Sequence, residues 1–488
     1  MLQSALDQRE KLLRLTVIAA GVMASRVVFY ALTRFAADDA FITFRYAANL
    51  AAGNGFAYNA GEHVLGTTTP LFTLLLAAFA GLGGDPHTAA LIVGCAASGL
   101  TAVVIAMYAE SWGFGDFALL PVIVYALHPR TLAFDMAGME TALFTMLIVF
   151  GLYLHHRDRL IAAMVMAALA ALTRPEGLLL LAILFAYGLR KKRESALRGL
   201  LAAICLIGPW VVFAKQYFGS PIPNSIPAKL ALYAGLRDVS IWHSISFLLG
   251  LHNPLGIVLT GLAVGGGFWL HSTGRAGAVE AIWAAALILG LSLAPTRPFL
   301  WYPAAAYPIL VMFACALAVA GLDRLKRHKA VPNAILRSAQ VLVVTSLLLV
   351  NVRTVNGYRF EQSALEEVHR AIGLYLRENA APADLVAAED IGYLGYYSDC
   401  RILDRDGLVS PEAIAFNRSG DHLGMILKFN PAWVVVHAGG MNSDFIEDPE
   451  FLALYKEQTR FGMERGPTYL VFKRISEQPT DQFSLRPI

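Results

Sequence analysis

Asp38 to Pro70 reads DDAFITFRYAANLAAGNGFAYNAGEHVLGTTTP and is the first long polar break in an otherwise apolar chain. It follows an apolar run and opens on two adjacent carboxylates. A charge at the edge of the hydrocarbon is costly unless it is solvated or has work to do, so Asp38 and Asp39 are the first candidates for chemistry. Behind them, AFITFRYAANLAAG has the spacing of a short helix with Phe41, Phe44 and Ala48 on one face, closed by Gly53. An amphipathic helix of that kind is expected to lie on the membrane surface.

The whole chain supports a membrane setting. With 488 residues, 57% hydrophobic and 15% charged, and a mean hydropathy of +0.55, it is too apolar for a soluble globular protein. The net charge of +3 is small, and no basic patch with interleaved aromatics points to nucleic acid; the basic residues report orientation instead. Cys95, Cys205 and Cys315 lie in apolar runs and Cys400 stands alone, without disulfide or metal spacing. Arg9, Lys11 and Arg14 precede a long apolar run with no small-residue cleavage site after it, which reads as a retained first span.

A crossing needs ~20 mostly apolar residues. Eleven runs are candidates, at 13–34, 88–108, 116–128, 139–154, 159–173, 177–190, 198–214, 250–270, 277–295, 299–321 and 336–353. The run Pro70 to Leu82 is shorter and fits an interfacial or re-entrant helix. With it kept out of the count, the basic clusters at 155–159, 190–198, 271–275 and 323–329 all fall on the side of the N-terminus, as cytoplasmic loops should. The opposite, outer face receives the loop from Asp38, then 128–141 (HPRTLAFDMAGMET), 173–177 (TRPEG), 217–230 (YFGSPIPNSIPAKL) and 296–303 (TRPFLWYP). This predicts an α-helical polytopic domain over residues 1–353.

Residues 354–488 have ordinary polarity and suffice for one small domain on the outer face. Helical spacing at Glu361–Glu378 and Pro449–Lys456 alternates with strand patterns at Asp384–Ala388, Arg401–Leu403, Ala432–His437 and Tyr469–Lys473, which predicts an α/β module.

Polar residues of the outer loops are the candidate site. One carboxylate of Asp38–Asp39 can take a proton from an attacking hydroxyl, and the pair can also bind a metal or cap the following helix. Arg174 can pair with a phosphate or with its neighbour Glu176. Glu140, at the start of an apolar span, suits a helix N-terminus as well as a site. Asn224, Lys229, Arg297 and Tyr302 supply donors of the kind that hold a phosphate leaving group, and Lys229 and Arg297 also suit snorkelling anchors. Arg45 joins these as a candidate substrate contact from the first loop. His63, His128, His155, His156 and His243 lack metal-ligand spacing, and no phosphate-binding loop, dinucleotide fingerprint or serine elbow is present.

The first loop together with GMET, TRPEG, PNSIPAKL, AEDIGYLGYYS and ILDRDGLV resembles the bacterial GT-C glycosyltransferases that use polyprenyl-phosphate sugars, a group that includes arabinofuranosyltransferases, protein O-mannosyltransferases and lipid A aminoarabinose transferases. The resemblance implies a catalytic base at Asp38 or Asp39 and basic outer-loop residues (Arg174, Lys229, Arg297) on the donor phosphate; a divalent metal cofactor stays open, members of the group that use monosaccharide lipid phosphates commonly working without one. It implies a bacterial inner-membrane enzyme working on the periplasmic side. The partners would be a polyprenyl-phosphate sugar donor, membrane lipids and a glycan, lipid or protein acceptor. A secondary transporter or lipid flippase is the alternative from another class; no internal repeat supports it, and the informative polar residues gather at one face.

Overall fold

A computed structural model describes residues 2–233, 240–274, 277–294, 296, 298–327, 333–381, 383–440, 442–464 and 466–475. The helices run α1 (Leu2–Thr33), α2 (Asp38–Ala51), α3 (Pro70–Gly81), α4 (Pro86–Ser111), α5 (Leu120–Leu127), α6 (Pro129–Asp135), α7 (Thr141–His156), α8 (Leu160–Thr173), α9 (Gly177–Lys191) and α10 (Arg193–Phe218). They continue as α11 (Ser225–Leu232), α12 (Ile241–Leu249), α13 (Pro254–Ser272), α14 (Ala278–Leu293), α15 (Tyr307–Arg327) and α16 (Asn333–Ala364). A π-helical turn at Leu365–Arg370 joins α16 to α17 (Ala371–Asn379). The terminal module follows as β1 (Leu385–Ala388), α18 (Tyr393–Ser398), β2 (Arg401–Asp404), α19 (Ala413–Ser419), α20 (His422–Phe429), β3 (Trp433–His437), α21 (Pro449–Leu454), β4 (Tyr455–Gly462) and β5 (Thr468–Arg474).

Every one of the eleven apolar runs overlaps a helix, but the count of eleven spans is not met by length. Among the described residues six helical stretches are long and apolar enough to cross: Asp7–Thr33, Pro86–Ser111, Arg193–Phe218, Pro254–Ser272, Ala304–Arg324 and Val341–Asn379. A bent pair, Gly115–Leu127 with Pro129–Asp135, makes a seventh. The bend of 60° has a local cause, since His128 precedes Pro129 and takes an extended conformation that ends α5. Helices α7, α8, α9 and α14 have only 14 to 16 residues, ~21–24 Å at 1.5 Å per residue. At 12 residues α3 is shorter still.

Lys11 and Arg14 of α1 pair with Glu110 at the end of α4, and Lys192 after α9 pairs with Asp158 before α8. Tyr108, near the end of α4, meets His156 at the end of α7 with ring centroids 5.3 Å apart, so these pairs lie at the same end of the helices. Inside, α1 packs on α4, α4 on α7, α7 on α8, α8 on α9 and α10, and α13 on α15. The last pair approaches closely because α13 carries Gly265, Gly266 and Gly267; a Cβ on Gly266 would overlap the Phe313 carbonyl of α15. Small residues drive helix packing in lipid by letting backbones meet. Gly266→Leu is expected to destabilise this pair by ~1–3 kcal/mol or more, seen as a lower Tm in detergent. An unchanged Tm would show that the two helices do not meet there.

In the module the strand order is β2-β1-β3-β5-β4, with β1 parallel to β2 and β3, and β5 antiparallel to β3 and β4. All four expected strands are present within a residue or two. The helix expected to Lys456 stops at Leu454, and β4, which was not expected, begins at Tyr455. Val386, Trp433, Val435 and Val471 pack on one side of the sheet, Ala387, Val434, Val436 and Phe472 on the other.

One expectation about the first loop is corrected. Helix α2 is not an amphipathic helix resting on a surface: Ala40 through Phe44, Tyr46 and Ala47 are all buried. The reason is the module, whose α18 packs over α2, while α3 packs along it.

Candidate functional site

The turn between α8 and α9 is written in TRPEG. Arg174 precedes Pro175, which disfavours the helical conformation; it is extended at φ −153°, ψ 140° and ends α8. Gly177 then starts α9 where a Cβ would overlap the Ala171 backbone, so only glycine lets the chain fold back this tightly. The turn aims Arg174 and Glu176 to the same side, with Arg174 Nη2 donating to Glu176 Oε1 at 2.9 Å.

GMET completes the group. Gly138 has φ +79° and lies against Phe44 and Ala40 of α2, a conformation that suits glycine. Two residues on, Glu140 sits at the start of α7 but makes no side-chain cap. Its Oε1 instead accepts from Arg174 Nη1 at 2.8 Å. Arg174 is thus clamped between two carboxylates, 7% exposed, and its charge is spent on them. Burial pushes the Glu140 carboxyl up, with Arg174 opposing. At Glu176 burial also raises, but the Arg174 charge and hydrogen bonds outweigh it and hold the carboxyl below its ordinary value.

The two aspartates point to different places. Asp38 accepts from the backbone N–H groups of Gly392 at 3.0 Å and Tyr393 at 2.8 Å, at the start of α18, and His369 Nδ1 is 3.7 Å away. Burial pushes its carboxyl up to about 6 against the pull of His369. Neither aspartate caps α2, whose cap position is Ala37. The Ala37 N–H donates to the Ala137 carbonyl at 2.9 Å, joining this end of α2 to the GMET segment. Asp39 faces a cavity of about 540 Å³ that Glu140, Arg174, Glu176, Lys229 and Tyr302 also line.

Lys229, on α11, donates to the Tyr302 hydroxyl at 3.3 Å and lies 5.0 Å from the Phe299 ring centroid. Burial lowers its pKa, yet Tyr302 and Asp39 together raise it above the ordinary lysine value, so the ammonium is charged. Among the described residues its hydrogen-bond and ring contacts are to Tyr302 and Phe299, whereas Arg174 is paired with two carboxylates. Arg297 lies outside the described residues.

Two expected contacts lie elsewhere. Arg45 donates to the carbonyls of Tyr58, Gly395 and Cys400 and to Asn59 Oδ1; it borders a separate polar basin of about 730 Å³ with Arg377 and Arg401. That basin is larger, but Asp39, Arg174 and Lys229 do not line it. Asn224 spends its amide on the Gly407 and Leu408 carbonyls, at 2.6 and 3.0 Å. These two side chains join the membrane part to the module.

Sequence reasoning missed several groups that line the Asp39 cavity. Ser225, 7% exposed, has a buried Oγ without a hydrogen-bond partner among the described residues. Thr67, Thr68 and Thr69 also line the cavity, as does Leu408 of the module. Their only sequence signal was position inside GTTTP, PNSIPAKL and DRDGLV. Among the described residues no three His, Cys, Asp or Glu side chains converge as metal ligands.

No curated protein matches this chain. A family described as a domain of unknown function (DUF8728) matches residues 354–474, the segment that holds the module. Among solved structures, ArnT from Cupriavidus metallidurans bound to undecaprenyl phosphate matches with a TM-score of 0.60 at 12% identity, over 93% of this chain and 97% of that one. The apo state of the same protein matches with a TM-score of 0.59 at 14% identity and the same coverage. At such identity the likeness is one of fold. This chain is accordingly a multi-pass membrane protein built on the GT-C architecture, with a small α/β module at its C-terminal end.

Proposed function

We propose that the protein is an inverting glycosyltransferase that moves a sugar from a polyprenyl phosphate to an acceptor hydroxyl at the outer face of the bacterial cytoplasmic membrane. The observation that carries this reading is the meeting of Asp39 and Lys229 in one cavity, on a fold that in ArnT was captured with undecaprenyl phosphate.

Asp39 is the base. It takes the proton of the acceptor hydroxyl as that oxygen attacks the anomeric carbon. The bond from that carbon to the phosphate oxygen breaks, and its electron pair leaves with the polyprenyl phosphate. The leaving phosphate is a weak base, so no general acid is required, and one displacement inverts the anomeric centre. Lys229, with the Ser225 hydroxyl beside it on α11, meets the developing charge. Arg174 acts at one remove: Glu140 and Glu176 hold it as the rigid wall of the cavity.

The test is transfer by purified protein in liposomes, given a panel of radiolabelled undecaprenyl-phosphate sugars and candidate glycan, lipid and protein acceptors. Consumption of one donor with inversion is expected. If no donor is consumed and undecaprenyl phosphate does not bind, the reading fails. A charge-assisted hydrogen bond is worth ~1.5–3 kcal/mol. Lys229→Met is therefore expected to weaken undecaprenyl phosphate binding by about 10- to 150-fold, measured by microscale thermophoresis. Unchanged affinity would remove Lys229 from the phosphate site.

A further inference from the structure

The C-terminal module brings only Leu408 to the Asp39 cavity, yet it grips the two helices that carry Asp39 and Lys229. We propose that this module is a positioning scaffold, whose β1–α18 turn and β2–α19 loop set the placement of α2 and α11 and so aim Asp39 and Lys229 into the cavity. The inference rests on the functional reading above and gives a role to a segment whose family is described only as of unknown function.

The first grip is on Asp38. Both its carboxylate oxygens accept backbone N–H groups of the module, and bonds to an ionised acceptor are the stronger kind. Asp38 and Asp39 are consecutive in the first turn of α2, so fixing one fixes the backbone that carries the other. The fit leaves no slack, because a Cβ on Gly392 would overlap the Asp38 carbonyl oxygen and one on Gly395 would overlap the Tyr58 hydroxyl. Tyr58 itself donates to the Ile391 carbonyl at 2.6 Å. Asn59 exchanges two bonds with the Ile402 backbone, at 2.9 and 3.0 Å, as a neighbouring strand would.

The second grip is on α11. Asn224, just before that helix, reaches the Gly407 and Leu408 carbonyls with its amide, while its own N–H donates to Leu65 at 2.7 Å. The same loop supplies Leu408 to the cavity wall. One rigid module thus spans from the base to the phosphate contact, and misplacement of about 1 Å can cost ~10²-fold in rate.

The test uses the full-length protein with Gly392→Ala, and Asp38→Asn in case the first does not fold. Hydrogen exchange over residues 38–51 is read alongside transfer kinetics and undecaprenyl phosphate binding. Faster exchange, a kcat lower by about tenfold or more, and donor affinity within about threefold of wild type are expected. Unchanged exchange, or unchanged kcat despite faster exchange, overturns the proposal. So does a loss of donor binding in step with kcat, which marks general damage to the fold. If wild-type protein transfers no sugar, the functional reading fails separately, and the exchange data still decide whether the module orders α2.

Discussion

Asp39→Asn is expected to lower kcat by ~10²–10⁴-fold while leaving the Tm and undecaprenyl phosphate affinity close to wild type. The asparagine keeps the shape of the side chain and cannot take a proton. Stability should not suffer, since Asp39 is half-buried at an open cavity and has no hydrogen-bond partner among the described residues. Lys229 feels the loss only in part: Asp39 helps raise its pKa, but Tyr302 is the larger favourable partner. The comparison that gives the experiment its force is Glu140→Gln. That change strips Arg174 of one of two carboxylates in a buried triad, so it should lower stability as well as rate. If Asp39→Asn retains full transfer, or loses activity only in proportion to donor binding, the base lies elsewhere.

How much of this was readable in advance depended on the range of the interactions. TRPEG was legible because its geometry is local: a proline fixes where α8 ends and a glycine permits the fold-back, within five residues. Glu140 was legible only in its place at the start of α7; the helix-capping role its position also suited is not taken, because its carboxylate accepts from Arg174 instead. That Asp38 turns to the module while Asp39 faces the cavity was not legible, because it is decided by Gly392 and Tyr393, more than 350 positions away. Arg45 and Asn224 were expected to meet substrate for the same reason. Their residue types suit a phosphate, and nothing nearby in sequence reveals the module carbonyls that use them up.

The fold shows a similar split. Apolar runs located the helices, but a run of 14 residues in α8 reads like a short crossing until its ends are seen. Strand β4 escaped notice because Tyr455–Gly462, YKEQTRFG, is an edge strand paired only with β5. Lys456 and Arg460 are exposed and of the kind that protect an edge, while Glu457 and Thr459 take the less exposed positions where apolar residues would have given the alternation away.

Asp135→Asn is expected to destabilise the protein by ~3–5 kcal/mol, the largest stability effect of any single change considered. Asp135 closes α6, and its Oδ2 accepts from Arg26 Nε and Nη2 at 3.1 and 2.8 Å, from Tyr125 at 3.0 Å and from Ser98 at 2.9 Å. Arg26 is fully buried in α1 and also donates to the Ala126 carbonyl at 2.7 Å. One carboxylate therefore ties α1, α4, α5 and α6 together, on the bend at His128 that folds α6 back. A guanidinium stays charged at any physiological pH, so removing the carboxylate strands a charge in the helical core. The physics predicts an asymmetry, because a buried pair can often be replaced by apolar residues of similar volume at little cost. The double variant Arg26→Met/Asp135→Leu should then be more stable than either single change, with a coupling energy of ~1–3 kcal/mol in a double-mutant cycle, read from Tm in detergent. Additive losses would mean that water reaches Arg26 and that the pair does not hold these helices together.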